Sequence, residues 1–152
     1  MKQISIALVL FLTMSAHTCN KKTAEAAGNG DAGAGMANLA SMTDTKWVLQ
    51  TLKGNHFTMP EGVEAPWLRL VKAENRIEGF TGCNHLLGQF SLAGDQVSFP
   101  GMGSTKKYCE PTQAIENSYV GALNKVQQFK VVDGVLHLMG ETGADLATFT
   151  KE

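Results

Sequence analysis

The residues best equipped for chemistry in this chain are Cys83 and His85, in G-F-T-G-C-N-H from Gly79 to His85, and Cys109, in T-K-K-Y-C-E-P. A thiol near an imidazole is the pairing a cysteine nucleophile needs, and two thiols with an imidazole are soft ligands for zinc. Neither reading has the rest of its pattern. A structural zinc site takes four ligands in closely spaced pairs, and no C-x-x-C or H-x-x-x-H occurs. A nucleophilic cysteine must be free and acidic beside its base. Residues two apart share a face only while the strand continues, and Gly82 takes the chain out of it. His56 and His137 stand alone in the sequence and read as surface or edge residues.

Glu61, Glu64, Glu74, Glu78, Asp95, Glu110 and Glu116 fall in no hydrolytic motif, and all but Glu116 read as solvated surface. Gly101-Met102-Gly103-Ser104 lacks the Lys-Ser/Thr ending of a phosphate loop. Trp47 and Trp67 read as core or edge packing rather than ligand platforms. No catalytic residue, metal or cofactor is therefore expected.

The positions of these residues depend on where the chain is and how it folds. At 152 residues, 43% hydrophobic and 18% charged, it has room for one domain with short extensions. A formal charge of -1 offers no cationic surplus for a phosphate backbone, so nucleic acid is not an expected partner. Residues 1–19 are different in kind: Lys2 precedes the apolar run Ile4 to Met14, which is too short to span a bilayer and suits an export signal. Cys19 follows it in Ser15-Ala16-His17-Thr18-Cys19, which resembles a lipoprotein processing site. Lipidation of Cys19 is the expectation, with ordinary cleavage after Ala24-Glu25-Ala26 the alternative. With Cys19 so consumed, Cys83 and Cys109 are an even pair in an oxidising compartment, and a disulfide between them is expected. Two separate buried thiols remain the other reading.

Residues 20–43 are rich in Gly, Ala and small polar side chains and read as a flexible tether, about 25 Å end to end. The folded domain is expected over 44–152. Strands are predicted over Lys46–Leu52, His56–Met59, Trp67–Lys72, Arg76–Thr81 and Asp145–Thr150. Two hairpins can be placed in register. Around Gly94-Asp95, Leu92 faces Val97 and Phe90 faces Phe99; around Asp133-Gly134, Val131 faces Leu136 and Phe129 faces Leu138. The spacing of Ile115, Tyr119, Ala122, Leu123 and Val126 predicts a helix over Pro111–Val126 with one apolar face. The fold expected is α+β: a strongly curved antiparallel sheet or open barrel of about eight short strands, covered by one helix.

Trp47-Val48-Leu49, Gly79-Phe80-Thr81-Gly82-Cys83-Asn84, Phe90, Thr105, Cys109, the helix bearing Glu116, Tyr119 and Leu123, Leu136-His137-Leu138 and Leu146-Ala147-Thr148-Phe149 together resemble the META domain, or HslJ-like, family of exported bacterial proteins and lipoproteins. The likeness covers Thr45 to Lys151; the chain departs from it where Tyr108, rather than an apolar residue, precedes the second cysteine. The resemblance implies a curved sheet with one helix and marks Gly79, Thr81, Gly82, Asn84, Thr105 and Glu116 as structural motif residues. Glu116, which the resemblance includes, is expected to accept hydrogen bonds from backbone donors of residues 81–84. The family's namesake is associated with heat shock and antibiotic tolerance, and its fold is similar to secretion pilot lipoproteins. The expectation is thus a non-catalytic, monomeric module of the bacterial envelope, tethered by lipid to the outer membrane and facing the periplasm, that binds a protein partner or an apolar ligand. A pilot-like assembly factor, or a hydrolase with an unrecognised site, is the alternative.

Overall fold

The computed structural model describes residues 40–152. The stretches expected to be export signal and tether, with Cys19, lie outside them as far as residue 39. Among the described residues eleven strands form one sheet: β1 (Trp47–Leu52), β2 (Asn55–His56), β3 (Trp67–Val71), β4 (Arg76–Phe80), β5 (His85–Gln89), β6 (Ser91–Ala93), β7 (Gln96–Ser98), β8 (Gly103–Ser104), β9 (Gln128–Val132), β10 (Val135–Met139) and β11 (Asp145–Lys151). The helix α1 spans Gln113–Leu123. Every named strand pair is antiparallel, in the order β6-β7-β9-β10-β11-β1-β3-β4-β5-β8, with β2 alongside β1. The sheet curls into a half-barrel. Its two ends, β6 and β8, do not meet, and each is left with one unpaired edge.

The curl follows from alternation. In β3, Leu68 and Leu70 are wholly buried while Arg69 between them is exposed, so one face of the strand looks into the core. Trp47 and Leu49 do the same in β1, and the register with β11 slips between Leu49 and Thr51, a bulge that bends both strands. The core extends back to Met42, inside the stretch whose composition reads as tether. Met42 is fully buried and its carbonyl accepts the Trp47 indole N–H at 2.9 Å.

Both hairpins take the expected register, Leu92 opposite Val97, Val131 opposite Leu136 and Phe129 opposite Leu138. The strand count does not: there are eleven, not about eight. The two strands without a sequence signal are β5 and β8. Leu86 and Leu87 are adjacent rather than alternating, and β8 is two residues of Gly and Ser. The short strand expected over His56–Met59 is Asn55–His56 instead.

The helix is also shorter than Pro111–Val126. Thr112 and Gln113 both donate their N–H to the Cys109 carbonyl, forming a turn that precedes the first helical residue. At the other end Lys125 bonds Ala122 and Val126 bonds Leu123, three residues back, so the last turn tightens and leaves the α-helical path. Its buried face is Glu116, Tyr119, Ala122 and Leu123; Glu116 takes the place expected of Ile115, which is only half-buried. Tyr119 is fully buried against Phe149, with its hydroxyl donating to the Trp67 carbonyl at 3.3 Å. Desolvation pushes that phenol far above its usual range, so it stays neutral.

Candidate functional site

The bend after β4 is closed by Thr81 and Asn84. The Thr81 N–H donates to the Asn84 carbonyl at 2.9 Å, and the Asn84 N–H donates to Thr81 Oγ1 at 2.9 Å. Gly82 lies between them at φ +93°, a left-handed conformation that a side chain would strain. Cys83 then meets Cys109 in a disulfide, with the Cα atoms 5.9 Å apart, joining the bend to the segment that leads into α1.

Asn84 is almost fully buried and is the hub of the site. Its Oδ1 accepts from the Lys107 N–H and from Thr105 Oγ1, each at 2.8 Å. Its Nδ2 donates to the Lys107 carbonyl and to both Glu116 carboxylate oxygens, each at 2.9 Å. The side-chain amide thus bonds Lys107 as a neighbouring strand would, extending the β5–β8 pairing past the bend. Thr105 adds a further link, its Oγ1 accepting from the His85 N–H at 3.1 Å.

Glu116 therefore reaches the bend, but through the Asn84 side chain rather than through backbone donors of residues 81–84. Two of those donors are already used: the N–H groups of Thr81 and Asn84 bond within the bend itself. Gly79 is needed one step earlier. A Cβ there would lie 2.4 Å from the Trp67 carbonyl oxygen on β3, so only glycine permits that approach.

Between residues 104–108 and the outer face of α1 lies a cleft of about 540 Å³. One wall is Lys106, Lys107 and Tyr108, with Tyr108 74% exposed. The other is a helical stripe of Gln113, Asn117, Val120, Gly121 and Asn124. Glu116 and Asn84 lie at its base, bonded to each other. Neither histidine nor a thiol lines it. A smaller hollow of about 320 Å³ borders the disulfide, between Val63, Phe80 and Pro111.

The histidines lie elsewhere. His85 is exposed and turned toward Phe80. His137, which stands alone in the sequence, has a partner in the fold: its Nδ1 is 2.9 Å from Asp145 Oδ2, because β10 and β11 pair with a register shift that brings Asp145 beside it. Trp47 belongs to the core and Trp67 to its margin, where Lys46 lies over the ring at 5.1 Å. Among the described residues no three His, Cys, Asp or Glu side chains come together as metal ligands do.

The described residues thus form a curled antiparallel half-barrel with one helix packed against β1 and β11, and a disulfide and an asparagine hub fasten helix and sheet together. The chain belongs to the META domain family, whose model matches residues 40–152. It is similar to a protein from Burkholderia xenovorans solved by NMR, at 27% identity over 75% of this chain and 87% of that one, with a TM-score of 0.60. A second protein solved by NMR has a TM-score of 0.57 at 18% identity, over 73% of this chain and 92% of that one. A crystal structure of a DUF4847 family protein from Bacteroides vulgatus has a TM-score of 0.51 at 17% identity, over 72% and 93% of the two chains. The latter two likenesses are of fold alone. No curated protein matches the chain.

Proposed function

We propose that this META domain is a non-catalytic binding module of the bacterial envelope, held at the membrane through lipidated Cys19, which takes its partner in the cleft between residues 104–108 and α1. The observation that carries the reading is the construction of that cleft. Its walls are hydrogen-bonding and cationic side chains, and its single carboxylate is already bound by Asn84. Such walls favour a polypeptide over an apolar ligand. The apolar run before Cys19 and the cysteine pair joined as a disulfide support an exported location. A role in tolerance of heat or antibiotics follows from the family resemblance.

The test is complementation of a deletion strain under envelope stress with three forms of the gene. Wild type is expected to restore growth and to fractionate with membranes carrying an acyl group on Cys19. Cys19→Ala is expected to lose the membrane fraction, and Gly121→Leu, which fills the cleft, to lose growth while remaining folded. Full restoration by Gly121→Leu would remove the cleft from the function.

A further inference from the structure

The cleft has a feature that side chains alone do not explain: one of its walls is an open sheet edge. β8 ends the sheet and is paired only with β5, through Leu86 opposite Ser104 and Leu87 opposite Gly103. The Thr105 N–H donates inward to the His85 carbonyl, and the Lys107 N–H and carbonyl are taken inward by Asn84. Along an extended chain successive residues turn their backbone groups to opposite sides. Ser104 and Lys106, both of which line the cleft, therefore present N–H and C=O outward, away from β5. Across from them α1 carries Gly121, where a Cβ would meet nothing within 4 Å, so the helix is stripped back where another backbone would run.

We propose that the cleft accepts an extended, acidic polypeptide segment as one further strand, added to the outward edge of residues 104–106 and covered by α1. The two spare backbone pairs give the main-chain hydrogen bonds of strand addition, and the helix opposite confines the segment to the groove. Charge selects the sequence. The exposed charged side chains lining the cleft are Lys106 and Lys107, and the one acid there, Glu116, is buried and bonded to Asn84. A strand bearing Asp or Glu at alternate positions meets one of the two lysines, which turn to opposite faces of an extended chain, with small β-branched residues between the acids on the other face.

This inference rests on the binding reading of the same cleft, and its test separates the two. The probe is an acetylated, amidated hexapeptide of alternating valine and aspartate, titrated into the isotope-labelled full chain and followed by amide NMR. Shifts confined to residues 103–108 and to the outer face of α1 are expected. Methylating alternate backbone nitrogens of the peptide should weaken binding at least tenfold, and exchanging aspartate for lysine should abolish it. Lys106→Glu with Lys107→Glu should reverse that preference and restore binding of the lysine peptide, a result that an unfolded variant cannot give. Equal binding of the methylated peptide would overturn strand addition. The same resonances moving instead with vesicles of anionic phospholipid, or with protein concentration alone, would overturn the peptide as occupant. If the peptide fails to bind yet Gly121→Leu still loses growth in cells, the strand is wrong and the binding cleft stands; if both fail, the cleft reading falls as well.

Discussion

Asn84 donates its side-chain amide to both carboxylate oxygens of Glu116 at 2.9 Å, across a gap of 32 positions in sequence, and so ties the bend after β4 to the first turns of α1. Both residues are buried, which makes the bond costly to break: a buried donor left without its acceptor loses about 1–3 kcal/mol. Glu116→Ala is expected to lower the urea midpoint by an amount in that range with an unchanged m-value. Asn84→Asp should cost more at neutral pH, because it sets two carboxylates against each other and withdraws the donor to Lys107. A Glu116→Ala protein as stable as wild type would show that the bond contributes nothing to the fold.

The disulfide acts at the same junction by a different route. A covalent closure between Cys83 and Cys109, 26 positions apart, restricts the unfolded chain and is worth about 3 kcal/mol. Cys83→Ala with Cys109→Ala should show that loss in denaturation, and reductant should bring wild type down to the same midpoint. Reductant that moves the double variant as far as it moves wild type would mean the effect lies elsewhere.

Much of this arrangement was legible in the residues, and the remainder was hidden for physical reasons. The β9–β10 hairpin declared itself because Asp133-Gly134 suits the positive φ of both turn positions and the flanking apolar residues alternate. β5 did not, since Leu86 and Leu87 are adjacent and Gly88 is explained only by the Met102 backbone, 2.9 Å from where its Cβ would stand. Asn84 reads locally as a turn former; that it serves Lys107 and Glu116 depends on contacts 23 and 32 positions away. Glu116 falls on the apolar stripe of α1, where a carboxylate is out of place until its partner is known. The cleft was the least legible of all, because one of its walls is a two-residue strand with no periodicity to read.

Gly79 and Gly121 should respond in opposite ways to the same methyl group. At Gly79 the new Cβ would press into the Trp67 carbonyl, backbone that cannot swing aside, so Gly79→Ala is expected to destabilise by about 1–3 kcal/mol or more. At Gly121 the space is open and the backbone helical, so Gly121→Ala should stabilise by about 0.5–1 kcal/mol. Thermal denaturation of the two variants beside wild type checks both signs at once.

Glu78 supplies a pH dependence whose direction is fixed by its neighbours. It lies opposite Arg69 across β3 and β4 and two residues along the strand from Arg76, and it forms ion pairs with both. The hydrogen bond from Arg76, and then that from Arg69, hold its carboxyl below the ordinary value of 4.5 despite partial desolvation. A carboxyl more acidic in the folded chain than in the unfolded one adds stability in full above its unfolded value, and the contribution drains away as pH falls through the folded value. Because the arginines are substantially exposed, solvent screening limits the effect to about 1 kcal/mol at most. Glu78→Gln should therefore be slightly less stable than wild type near neutrality, with the difference closing in acid well below 4.5 and shrinking in high salt. Urea midpoints for the pair across that range decide it: a gap that persists undiminished in acid would mean that Glu78 acts through packing rather than through its charge.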